Sequence, residues 1–302
     1  MKVVYSPNYY ADIGVHVFPM EKYRLIVEKL LKNGLILKEN IIEPEQADLP
    51  SLLLVHTQEY IEKLKRGLLS QQEEAILELP YSRELYKAFR YACGGSILAG
   101  RIALDEGIGV NIGGGFHHAF PDHGEGFCML NDIAVCIAVL KNEGLLKRAL
   151  VFDCDLHQGN GTAAIFKRDT SVFTYSIHQE RLYPLIKQKS SLDVNLPNLT
   201  GDEEYLSIIE NDLDWIIKNV KDNIKPDILI YVAGADPYEG DQLGSLKLTI
   251  DGLERRDEIV LEICKKHKIP VVVVLGGGYA HKLEDTVLIH YNTIKKAIEL
   301  FR

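Results

Sequence analysis

Three short runs hold residue types that could act together in chemistry. They are Phe116-His117-His118 after a glycine triplet, the run Asp153-x-Asp155-x-His157, and Tyr279 after a second glycine triplet. The acidic run is the sharpest. On extended backbone its alternation turns Asp153, Asp155 and His157 one way, and apolar Cys154 and Leu156 the other. Two carboxylates and an imidazole on one face are costly to bury unless a cation is present. Zinc takes carboxylate oxygen and imidazole nitrogen, and a catalytic zinc keeps three protein ligands and one open position. Two ligands from this run, with Asp236 from another strand end, would complete such a set. His117 and His118 suit acid–base work, because histidine titrates near neutral pH. Tyr279, carried on glycines that let backbone pass close to a ligand, could donate to a developing oxyanion. Each run alone is also an ordinary cap, loop pair or turn. Their joint placement argues for a site.

That placement depends on elements that deliver the runs to one edge. The chain alternates short β-branched runs with longer amphipathic ones, the pattern of a parallel sheet covered by helices. Strands are predicted at VVYS near the start and at 109–113, 149–153, 172–177, 228–234 and 271–277. Several are apolar at nearly every position, as strands buried on both faces are. Helices are predicted over 20–32, 84–104, 131–143, 203–220, 251–266 and 285–300. In open α/β sheets, ligands bind beyond the carboxyl ends of the strands. Five predicted strands lead there into His117 and His118, Asp153 to His157, Ser176 to His178, Asp236, and Tyr279. The expected fold class is α/β, a parallel multi-stranded sheet flanked by helices, with residues 1–302 as one domain.

Composition narrows the partners. A net charge of −9 without a Lys/Arg cluster argues against direct nucleic-acid binding and mildly favours basic substrates. The five cysteines are odd in number and show no Cys-x-x-Cys spacing, which fits a reducing compartment and disfavours a thiolate zinc site. The first residues lack a signal-peptide pattern, and no apolar run approaches membrane-spanning length, so a cytoplasmic protein without membrane association is expected. The glycine triplets at 113–115 and 276–278 match neither G-x-G-x-x-G nor a G-x-x-x-x-G-K-[ST] loop, which removes a nucleotide-binding reading.

The blocks GGGFHHAFPDHGEGFCMLND, VFDCDLHQGNGTA, YVAGADPYEGDQLGSLKLT and LGGGY resemble the signature blocks of the histone deacetylase family. The likeness runs from VVYSP through VHTQEY at 55–60 to LGGGY. The FHH block, HQGNGT and LDVNLPNLTGDEEYL are most similar to class IV deacetylases and their bacterial relatives. The resemblance implies the arginase/deacetylase fold and one catalytic zinc, held by Asp155, His157 and Asp236. It implies that His117 pairs with Asp153, and His118 with Asn160 where many class I enzymes carry Asp. Tyr279 matches the transition-state tyrosine. Gly126 and Phe127 would belong to the acyl-lysine tunnel, with Phe127 as one aromatic wall. Tyr183 would be the other, although the spacing in HQERLYP differs from class I. Leu243 falls where acetylpolyamine-selective relatives carry glutamate, which argues against a polyamine substrate. A structural potassium ion is implied at Asp153, Ser176 and the carbonyls of Asp155, His157 and Ile177, and would let Asp153 stay a buried anion.

The activity this implies is zinc-dependent hydrolysis of N-acyl-lysine amides in a peptide or protein, and class IV relatives are associated with long fatty acyl groups. Its rivals are an amidohydrolase of small acylated amines such as acetylpolyamines, and an acyl-lysine binding protein that does not cut. A binuclear manganese ureohydrolase would need more carboxylate ligands than these blocks provide.

Overall fold

Runs such as VVVV and ILIYV carry no polar face, so a sheet built from them must be covered on both sides. The computed structural model, which describes residues 1–219 and 225–302, has that arrangement. Its strands are β1 (Val3–Val4), β2 (Ile41–Ile42), β3 (Ile108–Asn111), β4 (Ala149–Asp153), β5 (Val172–Gln179), β6 (Leu192–Leu196), β7 (Ile228–Val232) and β8 (Val271–Val274). They form one sheet in the order β2-β1-β3-β8-β7-β4-β5-β6, and every pair is parallel. All carboxyl ends therefore share one edge.

Alternation along the strands divides the core in two. Val151, Val272 and Val274 face one apolar cluster, which helices α5 (Arg83–Glu106) and α6 (Asp132–Asn142) supply with Phe89, Ile97, Ile133 and Leu140. Leu150, Phe152, Val271 and Val273 face the other. There α1 (Lys22–Lys32), α8 (Asp202–Asn219), α9 (Ile250–His267) and α10 (Leu283–Phe301) contribute Ile26, Ile209, Val260 and Ile294. Long helices begin and end where the caps dictate. Ser82 accepts from the Leu85 N–H before α5, and Gly107 closes it in the left-handed conformation. Thr249 caps α9 in the same way. All five cysteines are free and buried. No helix among the described residues is long and apolar enough to cross a membrane.

The predicted strands and helices are present, with shifted ends. Strands β1, β3, β7 and β8 stop short of the predicted boundaries, because the polar and glycine residues that follow leave the ladder to build the site. Strand β5 instead runs two residues further, to Gln179, and so contains His178. The predicted 203–220 helix corresponds to α8, and Val220 lies outside the described residues. Strands β2 and β6 and helices α2 (Leu49–Leu53), α3 (Gln58–Arg66), α4 (Gln71–Leu77) and α7 (Asn160–Phe166) were not predicted, being too short to display a period.

Buried His56, between α2 and α3, ties this frame to the site. Its Nδ1 donates to the Phe120 carbonyl at 3.0 Å and its Nε2 accepts from the Asn131 N–H at 3.1 Å. Burial pushes it down to about 4. The unfolded chain, titrating near 6.5, then binds the extra proton first, so the contribution is whole above pH 6.5 and lost as pH falls toward 4. In the metal-free protein the stability gap between wild type and His56→Gln should therefore narrow by roughly 3 kcal/mol at most from pH 7.5 to 4, by urea unfolding. A gap that does not change with pH would show that His56 is not buried in its neutral form.

Candidate active site

The turn after β3 is held by a buried carboxylate. Asp132, at the start of α6, accepts from the N–H groups of Gly115 and Phe116 and from the Ser96 hydroxyl. This fixes the path that presents His117 and His118. The glycines are needed for close approach. A Cβ on Gly115, which has φ +88°, would stand 2.5 Å from the Gly276 nitrogen. That nitrogen donates to the Gly114 carbonyl at 3.2 Å, so the turns after β3 and β8 lie backbone against backbone.

The acidic run is not the extended segment its alternation suggests. Strand β4 ends at Asp153 and residues 155–157 bend. Side chains shape the bend: Asp153 accepts from the Asp155 N–H and Asp155 from the His157 N–H, an Asx-type turn repeated twice. The outcome differs from a single row of three. Asp155 and His157 meet Asp236, which accepts from the Leu156 N–H at 3.0 Å, while Asp153 turns to His117. Among the described residues, Asp155, His157 and Asp236 form the one group of such side chains whose donor atoms lie within 4.8 Å of one another.

All three are buried. His157 Nδ1 lies 3.2 Å from Asp155 Oδ1 and 3.2 Å from Asp236 Oδ2. Ligands about 2.0–2.1 Å from a tetrahedral zinc sit roughly 3.3 Å apart, so the set fits that ion. Electrostatics agree. Burial alone would lower His157, but the two carboxylates outweigh it and raise it to about 10. Burial, then the Asp155 charge, pushes Asp236 up to about 6.

The histidine pair lies beside this cluster. His117 Nδ1 donates to Asp153 Oδ2 at 2.7 Å, and His118 Nδ1 donates to Asn160 Oδ1 at 2.6 Å. Their Nε2 atoms face each other at 3.1 Å. Burial opposes charge on both. For His117 the charge of Asp153, then Asp155, outweighs burial and raises it to about 9. For His118 burial, then the charges of His117 and His157, holds it well below the usual range.

Aromatic rings wall the recess above these groups. The Tyr279 ring is 5.7 Å from Phe127 and 6.5 Å from His157. Phe127 comes from a two-residue turn, Glu125 to Cys128, in which both central residues, Gly126 and Phe127, have positive φ. Tyr183 lies against His118. Its ring meets His118 edge-on at 5.0 Å, and a Cβ on Gly126 would strike both Tyr183 and His118. Leu243 packs at the margin of the apolar cluster that contains Tyr279. Ser176 pairs with Asp153 across β4 and β5, with Ile177 next to it, but its hydroxyl is bonded to His178 Nδ1.

Several contributors escaped the sequence reading. Phe18 stacks on Phe127 at 6.0 Å, and fully buried Lys22 donates to the Gly276 carbonyl at 2.8 Å. Asp241 accepts from the Tyr279 N–H at 2.7 Å, and Glu125 accepts from the Asn160 amide at 2.7 Å. Lys22 sits on the apolar stripe of a predicted helix, a conflict visible in sequence. The other three lie in loops without a periodic signal.

A doubly covered parallel sheet with a buried candidate metal-binding triad at its carboxyl edge is the arrangement of the arginase/deacetylase fold. The crystal structure of the HDA15 HD domain shares that fold at a TM-score of 0.81 and 23% identity, covering 99% of this chain and 89% of that one. The histone deacetylase domain profile matches residues 16–294, so the chain belongs to the histone deacetylase family. It is 31% identical to Histone deacetylase 2 of Arabidopsis thaliana, over 92% of this chain and 74% of that protein. An uncharacterized protein of Picosynechococcus is 42% identical over 95% of both chains. Acetoin utilization protein AcuC of Staphylococcus aureus is 30% identical over 87% of this chain and 72% of its own. This membership supports a hydrolase acting on amides.

Proposed function

We propose that the chain is a zinc-dependent deacylase, with residues 1–302 as one catalytic domain, which hydrolyses N-acyl-lysine amides. The observation that carries this is the convergence of Asp155, His157 and Asp236 with His117, His118 and Tyr279 around one aromatic-walled recess. Asp155, His157 and Asp236 would hold the zinc. Bound there, zinc supplies the Lewis acidity that polarises an amide carbonyl and acidifies a water molecule.

The chain's own groups do the rest. Neutral His118 accepts a proton at Nε2, while His117, kept charged by Asp153, returns one to the leaving amine; opposite shifts in a facing pair suit that division. The Tyr279 hydroxyl donates to the carbonyl oxygen as negative charge builds. Phe127, Tyr183 and Phe18 flank the aliphatic stem and keep water out. Leu243 supports acyl-lysine over acetylpolyamine, since it brings no carboxylate for a second amine. A structural potassium ion at Asp153, Ser176 and the nearby carbonyls, including that of Ile177, belongs to the same reading by likeness to the family. So do class IV character and a cytoplasmic place of action.

The test is initial hydrolysis rates on one lysine peptide carrying acetyl, octanoyl or myristoyl groups, beside acetylated polyamines, with and without a zinc chelator. Chelator-sensitive peptide turnover is expected, and preference for the long chains would mark class IV behaviour. Turnover confined to polyamines would move the substrate to small amines, and none at all would leave a binding protein.

A further inference from the structure

Asn160 could accept from His118 or donate to it, because an amide presents oxygen on one side and nitrogen on the other. What stands behind it decides. Glu125 Oε1 lies 2.7 Å from Asn160 Nδ2, and a carboxylate can only accept. The amide nitrogen must therefore face Glu125, and the oxygen must face His118 Nδ1 at 2.6 Å. His118 then carries its proton on Nδ1, with Nε2 bare toward His117 and the recess. We propose that Glu125 is a positioning residue for the proposed hydrolysis, fixing the tautomer of His118 through the Asn160 amide. The inference rests on the reading that His118 accepts a proton at Nε2.

Further observations support a dedicated acceptor. The Glu125 side chain is only 19% exposed, and its backbone is pinned in the turn by reciprocal hydrogen bonds with Cys128. It remains a carboxylate: burial would raise it, but the polar side chains of His123, Asn160 and Tyr183 around it outweigh that and lower it.

The experiment reads the tautomer itself, in metal-free protein with ¹⁵N-labelled histidine, by long-range ¹H–¹⁵N correlation. The His118 signal is assigned by its loss in His118→Gln. Wild type should show a single form protonated at Nδ1. Glu125→Ala should give a mixture of tautomers. Glu125→Met, which keeps the volume without an acceptor, serves if the alanine variant loses the turn. With zinc bound, Glu125→Ala should lower kcat about tenfold with KM little changed, the scale of losing support behind an active-site group. A single Nδ1–H form in both Glu125→Ala and Glu125→Met would overturn the inference. The tautomer is read without turnover, so failure of the proposed function and failure of this assignment stay distinguishable.

Discussion

Tyr279→Phe is expected to lower kcat on an acyl-lysine peptide by about a hundredfold or more while zinc content stays near one per chain. The substitution removes one hydroxyl and little else. The Tyr279 N–H remains held by Asp241, and its carbonyl still accepts from the Gln242 backbone and side-chain amides. The ring keeps its contacts with Phe18 and Phe127, so its position should survive. Burial, then the charges of Asp236 and Asp155, pushes the phenol well above its usual range, so at neutral pH it is a donor. A donor aimed at charge that appears only in the transition state acts on kcat and leaves KM nearly unchanged. Unchanged turnover would remove Tyr279 from the mechanism.

Asp236→Asn separates metal binding from folding. The amide keeps an oxygen for the Leu156 N–H, so the turn after β4 should persist. The charge facing His157 is lost. Removing even a residue that only supports a ligand costs about 10–100-fold in affinity, so loss of the anionic ligand should weaken zinc binding by ~100-fold or more. Dialysis against a competing chelator followed by metal analysis measures this. Zinc retention equal to wild type would take Asp236 out of the ligand set.

Much of this site is legible in sequence because it sits where two local rules intersect. Runs such as VVVV and ALVFD announce strands buried on both faces, and parallel pairing then sends His117, Asp155, Asp236 and Tyr279 to one edge. Strict alternation was the wrong reason for the acidic run. Asp153 and Asp155 bend the backbone with their own side chains, and that bend sends Asp153 to His117 rather than to the cluster. Helix α3 carried a Thr57 cap and a Gly67 stop that a search for boundaries would have found. Phe18, Glu125 and Asp241 are different. Their partners, Phe127, Asn160 and Tyr279, are 35 or more residues away, and no local pattern pairs residues at that range. Tyr183 was placed by likeness to the family, and its contact with Gly126 depends on a loop whose course periodicity does not describe.

The position of β8 has a consequence for how the chain is made. It lies between β3 and β7, yet among the described strands it comes last in the chain and is made after both of them. Until it emerges, β3 and β7 each expose an apolar edge that can pair with a neighbouring chain. The Gly277 N–H that donates to Asp155 arrives on the turn directly after it. Capture of the proposed zinc should accordingly be a late event of biogenesis, and a nascent chain arrested before residue 271 should be prone to aggregate and unable to retain the metal.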